Sequence, residues 1–320
     1  MLLAFGQGIL ITTLPLYAAD FTDSYSLISL IVSAAALGTL IMDVPAGAIL
    51  GRLGLKSTMI GGTLLVVAGT LPLAFVHRFD VVLALRVIAG VGTAFWGLSR
   101  HALIASAVPI EQRGKVLSTY GGIGRIGVLL GPAAGGLIAA AAGVRISFVV
   151  SGLMALAALV LAVRYVQSVD MLGKKVPGRW GIVRRTLRDY ARDLSAAGMA
   201  QTCGQMIRAG RLLIIPLYGT HELGLGPAQV GLVMTASSAV DVVMFIPAGI
   251  LMDRFGRKTA SVPSFAVMAI GTAMIPLAHS FVTLMAVSLI IGAGNGLGSG
   301  SMMTLAADLA PACPPGAFLG

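Results

Sequence analysis

A chain of 320 residues that is 57% hydrophobic and only 11% charged lies far from the roughly 45–50% and about 25% of soluble domains, and no water-soluble fold hides that much apolar surface. The net charge of +10 does not make it a nucleic-acid binder, because Lys and Arg sit in short segments between apolar runs and form no single basic face. Cys203, in an apolar run, and Cys313, in a Pro-rich connector, supply neither metal-ligand spacing nor a disulfide framework.

Apolar runs near the ~20 residues needed to cross a hydrocarbon core recur along the whole chain, which excludes a signal peptide on a soluble domain. In chain order they predict ten spans, at 1–19, 27–50, 58–77, 81–106, 117–142, 146–166, 196–219, 229–252, 259–279 and 282–306. The connectors alternate in charge. Arg52, Lys56, Arg113, Lys115, the 164–193 segment, Arg254, Arg257 and Lys258 fall on one side, with little beyond Arg78 and Arg145 on the other. The excess of positive charge places the first side, and with it the N-terminus, in the cytoplasm. The one long connector carries Lys174, Lys175, Arg179, Arg184, Arg185, Arg188 and Arg192 and reads as a cytoplasmic linker with an amphipathic segment at the membrane surface. The predicted organisation is a six-helix half over 1–166, a linker over 167–195, and a second half over 196–320 with four helices and a connector.

The halves are related. At an offset of 202, Met42-Asp-Val-Pro-Ala-Gly-Ala-Ile-Leu-Gly-Arg-Leu-Gly-Leu-Lys56 aligns with Met244-Phe-Ile-Pro-Ala-Gly-Ile-Leu-Met-Asp-Arg-Phe-Gly-Arg-Lys258. Leu14-Pro-Leu-Tyr17 matches Ile215-Pro-Leu-Tyr218 at an offset of 201. Chance likeness of apolar sequence would not keep a charged turn in register, and repeats of this kind mark secondary transporters.

Six ionisable residues fall inside spans: Asp43, Arg86, Arg125, Arg208, Arg211 and Asp241. A charge placed there is expensive and so is a candidate for function. Arg208 and Arg211 share one face of the seventh span by their i, i+3 spacing, and Asp241 lies near the middle of the eighth. They are expected to form a buried Arg–Asp pair, either a fixed ion pair or a group handling solute and protons, with aspartate the titrating member. Asp43 lies one helical turn before Gly47 and reads as a local cap or partner of Arg52 at least as readily as a coupling residue. Arg125 reads equally as a structural pair and as a transport residue. Arg100 and His101 are expected to snorkel to the interface. No nucleotide-binding loop, metal constellation or nucleophile occurs, and Gly292-x-Gly-x-Gly-x-Gly298 inside an apolar span points to helix packing.

These residues resemble the major facilitator superfamily over nearly the whole chain. The family's loop pattern G-x-x-x-D-R-x-G-R-K stands complete as Gly249, Asp253, Arg254, Gly256, Arg257 and Lys258; the first-half copy keeps Gly47, Arg52, Gly54 and Lys56 but has Gly51 and Leu55 at the usual Asp and Arg positions. Arg86-x-x-Ala-Gly90-x-Gly92 is similar to a family pattern whose arginine is linked to proton coupling. Gly127, Gly131, Pro132, Gly135 and Gly136 look like its antiporter motif. The resemblance implies an all-α membrane fold of two six-helix repeats, the second incomplete, in a multi-pass inner (plasma) membrane protein. The implied activity is secondary active transport without enzyme chemistry, cofactor or metal. Its leading form is proton-coupled efflux of small amphipathic compounds by alternating access, with the bilayer, a small-molecule substrate and protons as partners, no nucleic acid, and a monomeric state. Metabolite uptake or exchange, or a non-functional truncated paralogue, are the alternatives. Gln7, Trp96, Gln205 and Asn295 lie on helices that line the family's cleft and are expected to meet solute, or to bond or pack against neighbouring helices.

Overall fold

The computed structural model describes residues 1–107, 113–166 and 191–298. Readings that fall on 108–112, on 167–190 and on 299–320 lie outside the described residues, as do those on the side chains of Arg113, Lys115, Asp253, Arg257 and Lys258. Ten α-helices run through the described chain: α1 (Leu2–Ala19), α2 (Tyr25–Leu53), α3 (Leu55–Thr70), α4 (Phe79–Ala107), α5 (Arg113–Ala142), α6 (Val144–Tyr165), α7 (Ala191–Leu217), α8 (Pro227–Phe255), α9 (Arg257–Ala273) and α10 (Phe281–Leu297). Each falls on one of the ten predicted spans. A helix satisfies its own backbone polar groups, which is why uninterrupted helices suit so apolar a sequence in lipid.

Seven of these helices contain segments long and apolar enough to cross a membrane: Leu2–Ala19, Tyr25–Asp43, Leu55–Ala74, Phe79–Ile104, Gly121–Ala142, Val144–Tyr165 and Pro227–Met252. The apolar stretches Thr259–Ala273 and Phe281–Leu297 are shorter. α7 is more polar, because it carries Arg208 and Arg211 between its apolar turns.

The described chain forms two compact units, one of 1–107, 113–166 and 216–235, the other of 191–215 and 236–298. In the first unit, glycine lets backbones meet. A methyl group on Gly127 would lie 2.8 Å from Phe5 N, and one on Gly135 would lie 2.5 Å from Ile9 O. With Gly131, which faces Gly8, they form a small-residue seam between α5 and α1, one glycine per turn. Gly136 sits on the adjoining face, against Pro227 O and Gly231 of α8. Pro132 cannot donate to the helix ladder, and side chains bind the disturbed backbone around it: Thr12 Oγ1 donates to Pro132 O at 3.2 Å, and Ala133 N donates to Thr235 Oγ1 at 2.8 Å. At one end of the unit the wholly buried Tyr17 donates its hydroxyl to Leu73 O at 2.8 Å and Val76 O at 2.9 Å. Its ring packs on Phe148, 4.7 Å between centroids, with the Arg145 guanidinium 5.8 Å from the ring centre.

The second unit repeats the first at the level of individual contacts. Gly54 and Gly256, 202 residues apart, end α2 and α8 at φ 79° and 85°, a conformation open to glycine and strained for other residues. Gly90 presses on Ala35 O and Gly292 on Ser237 O, again an equivalent pair. A methyl group on Gly92 would meet Gly62 O and Val66 N; one on Gly294 would meet Ser264 O and Met268 N, the same positions 202 later. The internal repeat read from the charged turn therefore extends to helix packing.

Candidate functional site

The polar groups of the second unit converge from three helices. Arg208 on α7 donates from Nε to Asn295 Oδ1 of α10 at 2.7 Å and from Nη1 to Gln205 Oε1 at 3.2 Å. Asn295 Nδ2 in turn donates to Asp241 Oδ2 of α8 at 2.7 Å. Asn295 is buried, and Arg208, Arg211 and Asp241 are half-buried. The expected Arg–Asp pair is thus a relay: the asparagine amide stands between guanidinium and carboxylate, accepting from one and donating to the other.

Glycines let the helices approach closely enough for this relay. A methyl group on Gly296, next to Asn295, would lie 2.5 Å from Asp241 O. Ser264 Oγ of α9 donates to Gly294 O at 2.7 Å and fixes the opposite side of α10.

The relay leaves specific atoms unsatisfied. Asp241 Oδ1 is enclosed without a hydrogen-bond partner among the described residues, as are Nε and Nη1 of Arg211 one turn beyond Arg208. Arg211 also lies within electrostatic reach of both Asp241 and Arg208. Two hydroxyls that sequence reasoning passed over, on Ser237 and Ser288, are buried and equally without a partner among the described residues. Their signal was present: Ser237 precedes Asp241 by four residues and Ser288 precedes Asn295 by seven, so each shares a helix face with a relay member.

The first-unit candidates do not gather in the same way. Arg86 of α4 is 9% exposed, and its Nε has no partner among the described residues. Asp43 and Gln7 are exposed, and Arg125 is half-buried and engaged in an interaction. Trp96 packs against a core of Leu3, Val66 and Ala155, which makes it a packing residue first. Arg100 Nη2 lies 3.1 Å from His101 Nε2 at the end of α4.

In the loop pattern, the glycines divide by role. Gly54 and Gly256 hold the positive-φ turns, but nothing approaches within 4 Å of a methyl group built on Gly47 or Gly249, so these two make no close helix contact among the described residues. Arg52 and Arg254 are exposed. The antiporter-like glycines, by contrast, are the packing seam of α5.

Comparisons with known proteins agree with this architecture. The family model of the Major Facilitator Superfamily matches residues 1–191 and 194–313. An uncharacterized MFS-type transporter of Methanocaldococcus jannaschii is 22% identical over 98% of this chain and 82% of its own length. Quinolone resistance protein NorA of Staphylococcus aureus is 30% identical over 51% of this chain, and the matched region spans only 42% of that protein. The solved nucleoside transporter NupG (D323A mutant) superposes with a TM-score of 0.78 over 99% of this chain and 83% of its own; at 12% identity it speaks for the fold alone. With its two repeated all-helical units and a family match along almost its whole length, the chain belongs to the Major Facilitator Superfamily and is a multi-pass membrane transporter, not an enzyme.

Proposed function

We propose that the chain drives proton-coupled export of small amphipathic compounds by alternating access, with the Arg208–Asn295–Asp241 relay as the place where proton and solute compete. The observation that carries this reading is Asp241 Oδ1, without a hydrogen-bond partner among the described residues in a relay that holds Arg208 and has Arg211 within electrostatic reach. A carboxylate with one oxygen held and one unengaged can take either a proton or a donor group of the solute, but not both. Exclusive occupancy is what exchange requires, since each ligand then stabilises a different state of the carrier. The likeness to a quinolone resistance protein supports efflux, as do the glycines and proline of α5. Arg86 is assigned to the first unit's share of the pathway, because a buried guanidinium whose Nε has no partner among the described residues calls for water or a passing anionic group.

Energised inverted vesicles provide the test. An exporter loads them with solute when their interior is acid. Solute leaving such vesicles down the proton gradient would sink the export reading and favour uptake.

We also place the protein in the plasma membrane with 167–195 and the N-terminus in the cytoplasm, on the alternation of charge between connectors. A cysteine at Lys174 is expected to resist an impermeant maleimide in intact cells and to react after permeabilisation. Labelling in intact cells would reverse the orientation.

A further inference from the structure

The relay consumes some of the polar groups of the second unit and leaves others open. Arg208 is engaged through Nε and Nη1, and Asn295 through both its oxygen and its nitrogen. Left over, beside the hydroxyls of Ser237 and Ser288, are an acceptor, Asp241 Oδ1, and a guanidinium, that of Arg211, with two enclosed nitrogens and no hydrogen-bond partner among the described residues. Unpaired polar groups of this kind are expensive wherever water cannot reach them, so a ligand that fills both removes a standing penalty. Charge speaks against a lone cation, because two guanidiniums already stand beside one carboxylate.

Each simple ligand class fails on one side. An organic cation could meet Asp241 but would add to the positive charge and leave Arg211 open. An organic anion could meet Arg211 but leaves Asp241 Oδ1 without a donor. A neutral amphiphile answers neither charge. We propose that the solute handled here is a small amphipathic zwitterion, its carboxylate received by Arg211 and its ammonium by Asp241. Apolar side chains stand on the neighbouring turns: Phe265 packs over Gly204 beside Gln205, and Met244 against Gly296 beside Asn295.

This deepens the export reading and rests on it. The ammonium takes the oxygen that a proton would otherwise occupy, so binding to the protonated carrier releases a proton. The charged groups facing Asp241 are Arg208 and Arg211 from α7, and Asn295 is its polar partner from α10.

The experiment uses the full chain in lipid nanodiscs and three probes of one shape. These are 4-(aminomethyl)benzoic acid, its methyl ester, which lacks the carboxylate, and its N-acetyl derivative, which lacks the ammonium. The parent is expected to bind most tightly, with each derivative weaker by about 10-fold or more. Arg211→Gln should lower the parent to the affinity of the ester while leaving the ester unchanged, and Arg211→Lys should recover part of the loss. Equal affinity for the three probes, parent binding that ignores Arg211→Gln, or no saturable binding of the parent to the wild type would each overturn the proposal. The probe series on the wild type decides even if a variant folds poorly. A pH dye in weak buffer separates this site from the export reading: the expected probe pattern with proton uptake on binding keeps the zwitterion site and removes exchange.

Discussion

Asp241→Asn is expected to bring proton-driven transport to background while the protein still inserts and folds. The substitution is nearly isosteric, and the amide oxygen can still accept from Asn295 Nδ2, now at 2.7 Å from the carboxylate. What disappears is the charge and the ability to carry a proton. Arg208 and Arg211 then face each other's charge without a carboxylate between them. Removing one partner of a fully buried ionic group costs about 3–5 kcal/mol; Asp241 is half-buried, so a cost of about 1–3 kcal/mol is the fitting scale. Solute counterflow and pH-driven loading of inverted vesicles, measured side by side with thermal unfolding in detergent, check this. Wild-type pH-driven loading in the variant would move coupling away from the relay, toward Arg86 or Asp43.

Gly131→Val carries the largest expected stability effect. Its side chain would be driven into the backbone of Gly8, with Gly8 C and Ile9 N at 2.5 and 2.8 Å from the first carbon added. Overpacking costs about 1–3 kcal/mol where side chains can yield, and backbone yields less, so a loss of roughly 3 kcal/mol or more follows. Yield and unfolding temperature should both fall, and transport with them. Gly124→Val is the matched control two turns earlier on α5, because nothing among the described residues lies within 4 Å of a methyl group there. Equal behaviour of the two variants would mean that α1 and α5 are not packed through this seam.

The helices were readable because an apolar run of membrane length admits few other structures, and because Gly54 and Gly256 sit at the same point of two related turns. The relay was half readable. Spacing alone put Arg208 and Arg211 on one face, and their cost inside a span marked them with Asp241 as candidates. Nothing in the sequence shows that Asn295 stands between them, since α7, α8 and α10 meet only through tertiary packing and the relay joins residues 54 and 87 positions apart. Trp96 illustrates the opposite difficulty: an aromatic residue on a transport helix looks the same in sequence whether it meets solute or fills a core. Ser237 and Ser288 escaped notice because hydroxyls are common in apolar helices, and what sets these two apart is an unpartnered buried hydroxyl on the same helix face as a relay member.

The bare seam between α1 and α5 also limits how this protein can change over generations. A side chain that outgrows its space can often be rescued by trimming its neighbour. Gly204 has that option, for it faces the ring of Phe265, which a smaller residue could replace. Gly127, Gly131 and Gly135 face main chain instead, at Phe5, Gly8 and Ile9, and no substitution makes a main chain smaller. A second mutation across the seam therefore cannot compensate for the first. These positions can be kept or lost, but they cannot be retuned one residue at a time, and random mutagenesis should find them among the sites with no intragenic suppressors.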